Sequence, residues 1–424
     1  MLKDHPLRYH LANELHARPF PEMEVPGFAA FLAVKGEPGA GGLDPEADRA
    51  HLLALLERFG APHPQPGATH YFGQIGKHRL KWERHTEFTT YTIFGEGNAE
   101  RPFDPAVFNV FPDDWLEAMP GVRLTSALIR VERLEDDGAV PRKLEEWMVR
   151  EGMAVSSVLD DAAIIAGDFR IDPAGHLRFA VFARPGTGFR RIGRVVQRLC
   201  EIETYKTLAM LGFFRARELG PQIARIDEKL TELVRGMSEG GAPPDETLRE
   251  LLKISAELEN MSAASSFRFG ATRAYEALVA QRIEVLREKR FKGRQTFAEF
   301  MMRRFDPAMR TVHATRGRLQ EMAQAAARAG ELLRTRVDVE RSAQNQKLLE
   351  SMDRRAQMQL RLQQTVEGLS VVAISYYAVN LAAYMAYPFL APLGLSKGLA
   401  TAGLTPLVVV LVWLMVRRIR RHVG

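Results

Sequence analysis

The chain has 424 residues, too many for one compact core at about 150 residues per domain, so two or three regions are expected. A net charge of +6 and a pI near 9.4 raise nucleic acid as a partner, but no aromatic-interleaved basic motif accompanies the charge, and no nucleic-acid module is expected. The single cysteine, Cys200, excludes an intrachain disulfide framework and fits a reducing compartment.

The opening "MLKDHPLRYHLANELHARPF" has no continuous apolar core behind its early charges, so no signal peptide is expected and the N-terminal region stays in the cytosol. "GFAAFLAV" (Gly27 to Val34) reads as a strand. "DPEADRAHLLALLERFG" reads as a helix that Asp44 opens, with Pro45 in its first turn, and that Gly60 closes. "KHRLKWERHTEFTTYTIFG" (Lys77 to Gly95) alternates apolar with polar residues and predicts one long strand. Glu83, His85 and Glu87 then share a face and offer three ligands to a zinc or similar ion; a solvated charged face is the competing reading. "RLTSALIRVERL" (Arg123 to Leu134) is another strand. "DFRIDPAGHLRFAVFA" (Asp168 to Ala183) predicts two strands about a Pro173/Gly175 turn. Just before it, Asp160 and Asp161 join Asp168 as oxygen donors for a hard cation, or else serve turns and caps.

After Gly188 the pattern becomes helical. One helix runs from Gly193 to Val234 through Pro221, and "SEGGAPPDET" is a turn. A second helix starts at Asp245 and continues to about Lys292. Thr296 and Glu299 form a capping box, and Asp306 with Pro307 starts another helix. No proline interrupts the chain from there to Tyr387, so this last helix is expected to run about 80 residues, roughly 120 Å. Between Gln281 and Arg361 basic residues outnumber acidic ones roughly two to one, which suits a stalk beside anionic lipid headgroups.

Two stretches, about 366–387 and 399–416, approach the roughly 20 apolar residues that span a bilayer, with Pro388, Pro392 and Gly394 in the turn between them. Arg354, Arg355 and Arg361 precede the first span and "RRIRRH" follows the second, whereas the turn carries only Lys397. Both termini are therefore expected on the cytoplasmic side. The predicted fold class is an α+β cytosolic domain (1–188), long antiparallel helices forming a bundle and stalk (189–365), a C-terminal two-helix transmembrane hairpin (366–416) and a basic tail (417–424).

The first span, "VVAISYYAVNLAAYMAYP", carries a serine, four tyrosines and an asparagine. Ser370, Ala373, Tyr377, Asn380, Tyr384 and Tyr387 recur at alternating spacings of three and four, so they share one face. The same register continues back through Val366, Gln363, Gln359, Ala356, Met352 and Leu349. A lone helix would show this polar stripe to lipid, whereas a homo-oligomer buries it by helix packing or lines a pore with it. The second span is nearly all aliphatic and reads as the lipid-facing partner. No phosphate-binding glycine loop, GxSxG or activated nucleophile occurs, so no enzyme activity and no cofactor are expected, apart from a divalent cation as a transported or regulatory ion.

"HPLRYHLANELHARPF", "LKWERHTEFTTYTIF", "DFRIDPAGHLRF", "QRLCEIETYKTLAML" and "TVEGLSVVAISYY" together resemble a bacterial family of uncharacterised membrane-anchored proteins, and this implies anchoring in the inner membrane. The architecture also resembles the CorA-type divalent-cation channels, pentamers whose first span lines the pore. That family carries Gly-Met-Asn at the outer end of the span, where this chain has "AYMAYPFLAP", so no filter residue carries over. The resemblance implies an oligomeric cation channel or transporter. The alternative is a membrane-anchored scaffold whose cytosolic domain binds a partner.

Overall fold

A computed structural model describes residues 3–9, 20–37, 42–239, 242–390 and 397–423. The chain forms two units, Met1–Ala242 with Arg249–Ala329, and Pro243–Leu248 with Gly330–Gly424.

The first unit is built on one mixed sheet of nine strands: β1 (Gly27–Lys35), β2 (His70–Ile75), β3 (His78–Arg84), β4 (Phe88–Glu96), β5 (Val122–Arg133), β6 (Ala154–Val158), β7 (Ala163–Gly167), β8 (Leu177–Ala183) and β9 (Lys289–Arg290). Their spatial order is β2-β3-β4-β1-β5-β8-β7-β6-β9. The β5–β8 pair is parallel and the other neighbours are antiparallel. The single long strand expected over Lys77–Gly95 is instead the hairpin β3–β4, with Leu80 opposite Ile93 and a turn at 85–87. The hairpin expected around Pro173 and Gly175 exists, but its first strand is β7, upstream of Asp168.

Period-two alternation divides the sheet into two faces. Leu32, Trp82, Tyr91 and Ile93 point into the main core with Leu52, Leu55 and Leu56 of helix α1 (Pro45–Arg58) and Trp115 of the short α2 (Asp113–Glu117). Asp44 caps α1 by accepting a hydrogen bond from the Glu46 N–H at 3.0 Å, with Pro45 in the first turn. Helix α3 (Ala139–Trp147) adds Leu144 and Trp147 to the same core. The long helix α4 (Phe189–Glu239) touches β1, β5 and β8.

Helix α5 (Pro244–Glu284) runs antiparallel to α4. Thr272 donates to the Ala209 carbonyl at 3.3 Å, and Arg215 donates to Ser265 at 3.3 Å. At Gly212 a Cβ would lie 2.1 Å from Thr272 Oγ1, so only glycine allows this approach. Helix α5 stops at Glu284, short of the expected Lys292, because the chain leaves it to form β9 against β6. The capping box of α6 (Phe297–Arg304) is present, with Thr296 accepting from the Glu299 N–H and Glu299 from the Thr296 N–H. Helix α7 (Asp306–Leu390) then begins, and its first turns join the bundle through His313–Glu276 at 2.7 Å and Arg318–Asp227 at 2.6 Å.

The second unit contains α7 from Gly330 onward and α8 (Lys397–Val423). At 85 residues α7 is as long and unbroken as expected, and it retains Pro388. Both helices are long and apolar enough to cross a membrane by length and composition, each with a window of mean hydropathy 1.5. The expected turn residues Pro392 and Gly394 lie outside the described residues. Ser375, Val379 and Ala383 of α7 and Val412 of α8 are buried.

Candidate functional site

The charged triplet of the β3–β4 hairpin does not converge on one point. Glu83 sits on β3 with its carboxylate 3.0 Å from Lys81 Nζ. His85 lies in the turn and stacks on Phe88 with ring centroids 4.2 Å apart. Glu87 turns inward, where it accepts from Tyr275 Oη at 2.7 Å and Arg268 Nη2 at 2.5 Å and lies 3.1 Å from Lys35 Nζ. Burial pushes the Glu87 carboxyl up, but the hydrogen bonds from Arg268 and Tyr275 outweigh it and hold the group below its ordinary value. Among the described residues no group of three or more His, Cys, Asp or Glu side chains is placed to hold a metal ion.

Asp160, Asp161 and Asp168 likewise have cationic partners. Asp160 pairs with Arg287 at 2.7 Å, Asp161 with Arg184 at 3.0 Å, and Asp168 with Arg178 at 2.5 Å. Each carboxylate pairs with a different arginine, and the three are not placed together to hold one ion.

Behind the hairpin a cavity of about 290 Å³ opens between the second face of β1, β3 and β4 and the helices α4 and α5. Phe31, Phe88 and Phe94 supply an apolar wall, and Thr90 and Thr92 add hydroxyls. Lys81 reaches in from β3, and its side chain is 5% exposed. Its Nζ is near Glu83 but lies off the hydrogen-bond direction, so this buried ammonium donates no hydrogen bond among the described residues. From α4, Glu201 accepts from Gln197 Nε2 at 2.7 Å and Arg198 Nη1 at 2.9 Å, and it forms an ion pair with Arg282. Gln197 Oε1 is buried without a hydrogen-bond partner among the described residues. Burial pushes the Cys200 thiol far up, so the cysteine lines the cavity as a neutral group. Unsatisfied buried polar atoms facing a partly apolar cavity suit a ligand that supplies the missing partners.

No motif marks these residues in the sequence. The signal that points to them is the lysine and threonines on strand positions that a helix covers, where an apolar residue would be expected.

In the second unit most of the α7 stripe faces away from the buried Ser375–Val379–Ala383 face, but Asn380 lines a groove with Ser375 and Val379 of α7 and Thr401, Thr405 and Val409 of α8. Tyr377 is 72% exposed and Tyr384 64%; Ser370 and Ala373 are also exposed, and Asn380 is half-buried. Ser370 Oγ donates to the Val366 carbonyl at 2.8 Å and Asn380 Nδ2 to the Tyr376 carbonyl at 3.1 Å, so both polar groups have local partners within the helix. The side chain of Tyr387 lies outside what is described. Upstream, every residue from Asp338 to Val366 is exposed, including Leu348, Leu349, Met352, Met358, Leu360 and Leu362.

No curated protein matches the chain. A family model described as protein of unknown function (DUF3422) matches residues 3–423, which cover the sheet, the helical bundle and both apolar helices. The chain belongs to that uncharacterised family.

Proposed function

We propose that this chain is an integral membrane protein that self-associates through α7 and passes a cation along the axis its first spans enclose. The observation that carries this reading is the exposed polar stripe of α7. Ser370, Tyr377 and Tyr384 are exposed on one helix face, with the half-buried Asn380 at its edge towards α8, in register with an exposed apolar seam that includes Leu349, Met352 and Val366. In a bilayer such a face is stabilised when it turns inward, onto other helices or onto water. Copies of α7 around an axis provide both, with α8 outside against lipid.

The flanking arginines, Arg354, Arg355 and Arg361 before the first span and Arg417 and Arg418 after the second, favour both ends on the cytoplasmic side of the bacterial inner membrane. Arg417 also lies over the Trp413 ring at 4.9 Å, an arrangement suited to the membrane interface. The order of regions in the sequence resembles that of CorA-type channels, and because the Gly-Met-Asn is missing, the reading assigns ion contact to the stripe itself. In liposomes Asn380→Leu is expected to abolish divalent-cation flux while the detergent-solubilised assembly keeps its mass. Undiminished flux would contradict the assigned lining face.

A second reading is a membrane-anchored binding protein without transport, and the cavity beside Lys81 favours it. An assembled native protein that passes no cation into liposomes would support this reading over the first.

A further inference from the structure

The cavity beside Lys81 adjoins a second one of about 510 Å³, and Arg198 lines both. The second is basic, with Arg191, Arg194 and Arg198 from α4 and Arg287 from beyond the end of α5. Arg198 donates to the Glu201 carboxylate at 2.9 Å, and two of the others are held in place from one side. Leu159, Asp160 and Asp161 are consecutive non-glycine residues with φ of 53°, 57° and 65°, a conformation that few such residues adopt. This turn sets the Asp160 carboxylate 2.7 Å from Arg287 and 3.8 Å from Arg191, while the Leu159 carbonyl accepts from Arg191 at 2.5 Å. Arg194 has no carboxylate partner among the described residues; its guanidinium lies over the Phe20 ring at 5.7 Å, and Arg198 lies over the same ring at 5.6 Å.

Four guanidinium groups are thus gathered around two carboxylates, Asp160 and Glu201, the second shared with Arg282, and their planar forks match phosphate oxygens. The adjoining cavity has a different chemistry. Phe31, Phe88 and Phe94 give it an aromatic wall, and Lys81 and Gln197 line it with an Nζ and an Oε1 that have no hydrogen-bond partner among the described residues, the Nζ lying 3.0 Å from the Glu83 carboxylate. A flat heterocycle with both donors and acceptors on its edge would satisfy both atoms and stack on the phenylalanines. Together the two spaces fall within the roughly 300–1,000 Å³ usual for small-molecule sites.

We propose that the sheet-bearing unit binds a nucleotide, with its base in the Phe31–Phe88–Phe94 cavity and its phosphates on Arg191, Arg194, Arg198 and Arg287. The site lies wholly within that unit and is compatible with either functional reading above. Lys81 and Gln197 select the base, and the arginines supply most of the attraction, so affinity falls with salt.

The test is equilibrium dialysis of the full chain in detergent at low salt against ATP, GTP, CTP and UTP, with the four corresponding nucleosides and tripolyphosphate as part-ligands. At least one nucleotide should bind saturably, with its nucleoside and tripolyphosphate each weaker by about tenfold or more. Arg194→Ala, at an exposed position, should weaken that nucleotide about tenfold with an unchanged melting temperature, and Lys81→Met should reduce discrimination among bases. The proposal is overturned if none of the four binds at about 1 mM, if tripolyphosphate binds as tightly as the best nucleotide, or if Arg194→Ala leaves binding unchanged.

Discussion

Glu87 and Leu349 show how differently the two units treat their side chains. Inside the first unit, Glu87 is 4% exposed and is held by Lys35, Arg268 and Tyr275. On α7, Leu349 is 65% exposed in a stretch where no side chain from Asp338 to Val366 is buried. A single helix exposed on all sides has only its own ladder and pairs such as Gln357–Asp353 at 2.9 Å to stabilise it, contributing roughly 0.2–0.5 kcal/mol each. The sheet unit is complete within one chain. Under the proposed self-association, other copies of α7 would give the seam a comparable apolar environment.

The largest expected effect breaks that seam. Leu349→Glu combined with Met352→Glu should reduce the detergent-solubilised assembly to single chains, measured as mass, while the melting transition of the sheet unit stays in place. Glu87→Leu acts on the other side of the comparison. It leaves the part-buried Arg268 and Lys35 without their carboxylate, and denaturant titration should show a loss of about 3 kcal/mol.

The sheet unit should also respond to acid through His51. This ring stacks on Trp115 at 4.1 Å, its Nε2 is buried without a partner among the described residues, and burial lowers its pKa from 6.5 to about 4. Between these values the unfolded chain binds the proton more readily than the folded one. Stability from this group is complete above pH 6.5 and declines as pH falls towards 4, by about 3 kcal/mol in all. His51→Phe keeps the stack and should flatten that part of the pH profile.

Smaller effects sharpen the picture of packing and capping. A Cβ on Gly193 would lie 1.7 Å from the Pro21 carbonyl oxygen, so Gly193→Ala should push the N-terminal segment off α4 and lower stability by about 1–3 kcal/mol. Thr296→Ala removes half of the α6 capping box and should cost about 1 kcal/mol in the same titration.

Local chemistry made much of the fold legible. Asp44 with Pro45 and Thr296 with Glu299 announce helix starts because each satisfies otherwise unpaired N–H groups of the first turn. Asp306 with Pro307 opens α7 as an acid and a proline of the first turn, without a side-chain cap among the described residues. The β6 and β7 strands, "AVSSV" and "AIIAG", were not legible: both are buried throughout, so they lack the alternation that marks a half-exposed strand. The β3–β4 turn at His85, Thr86 and Glu87 lacks glycine, proline and asparagine, so the hairpin reads as one strand. The partners of Glu87 are farther from view, since Arg268 and Tyr275 lie 181 and 188 positions along the chain. The continuous helix over the α7 stripe was legible from the absence of proline between Pro307 and Tyr387, whereas the packing of Asn380 towards α8 was not, because helical phase alone does not say which neighbour a face meets.

The central claim is that α7 completes itself with further copies of α7. It is tested most directly by the protein mass of the purified full chain in detergent, from light scattering with the detergent contribution subtracted. A closed assembly of four or more chains is the predicted result, enough first spans to surround an axis. A monomer or dimer would contradict the account, because the polar stripe would then have no axis to enclose.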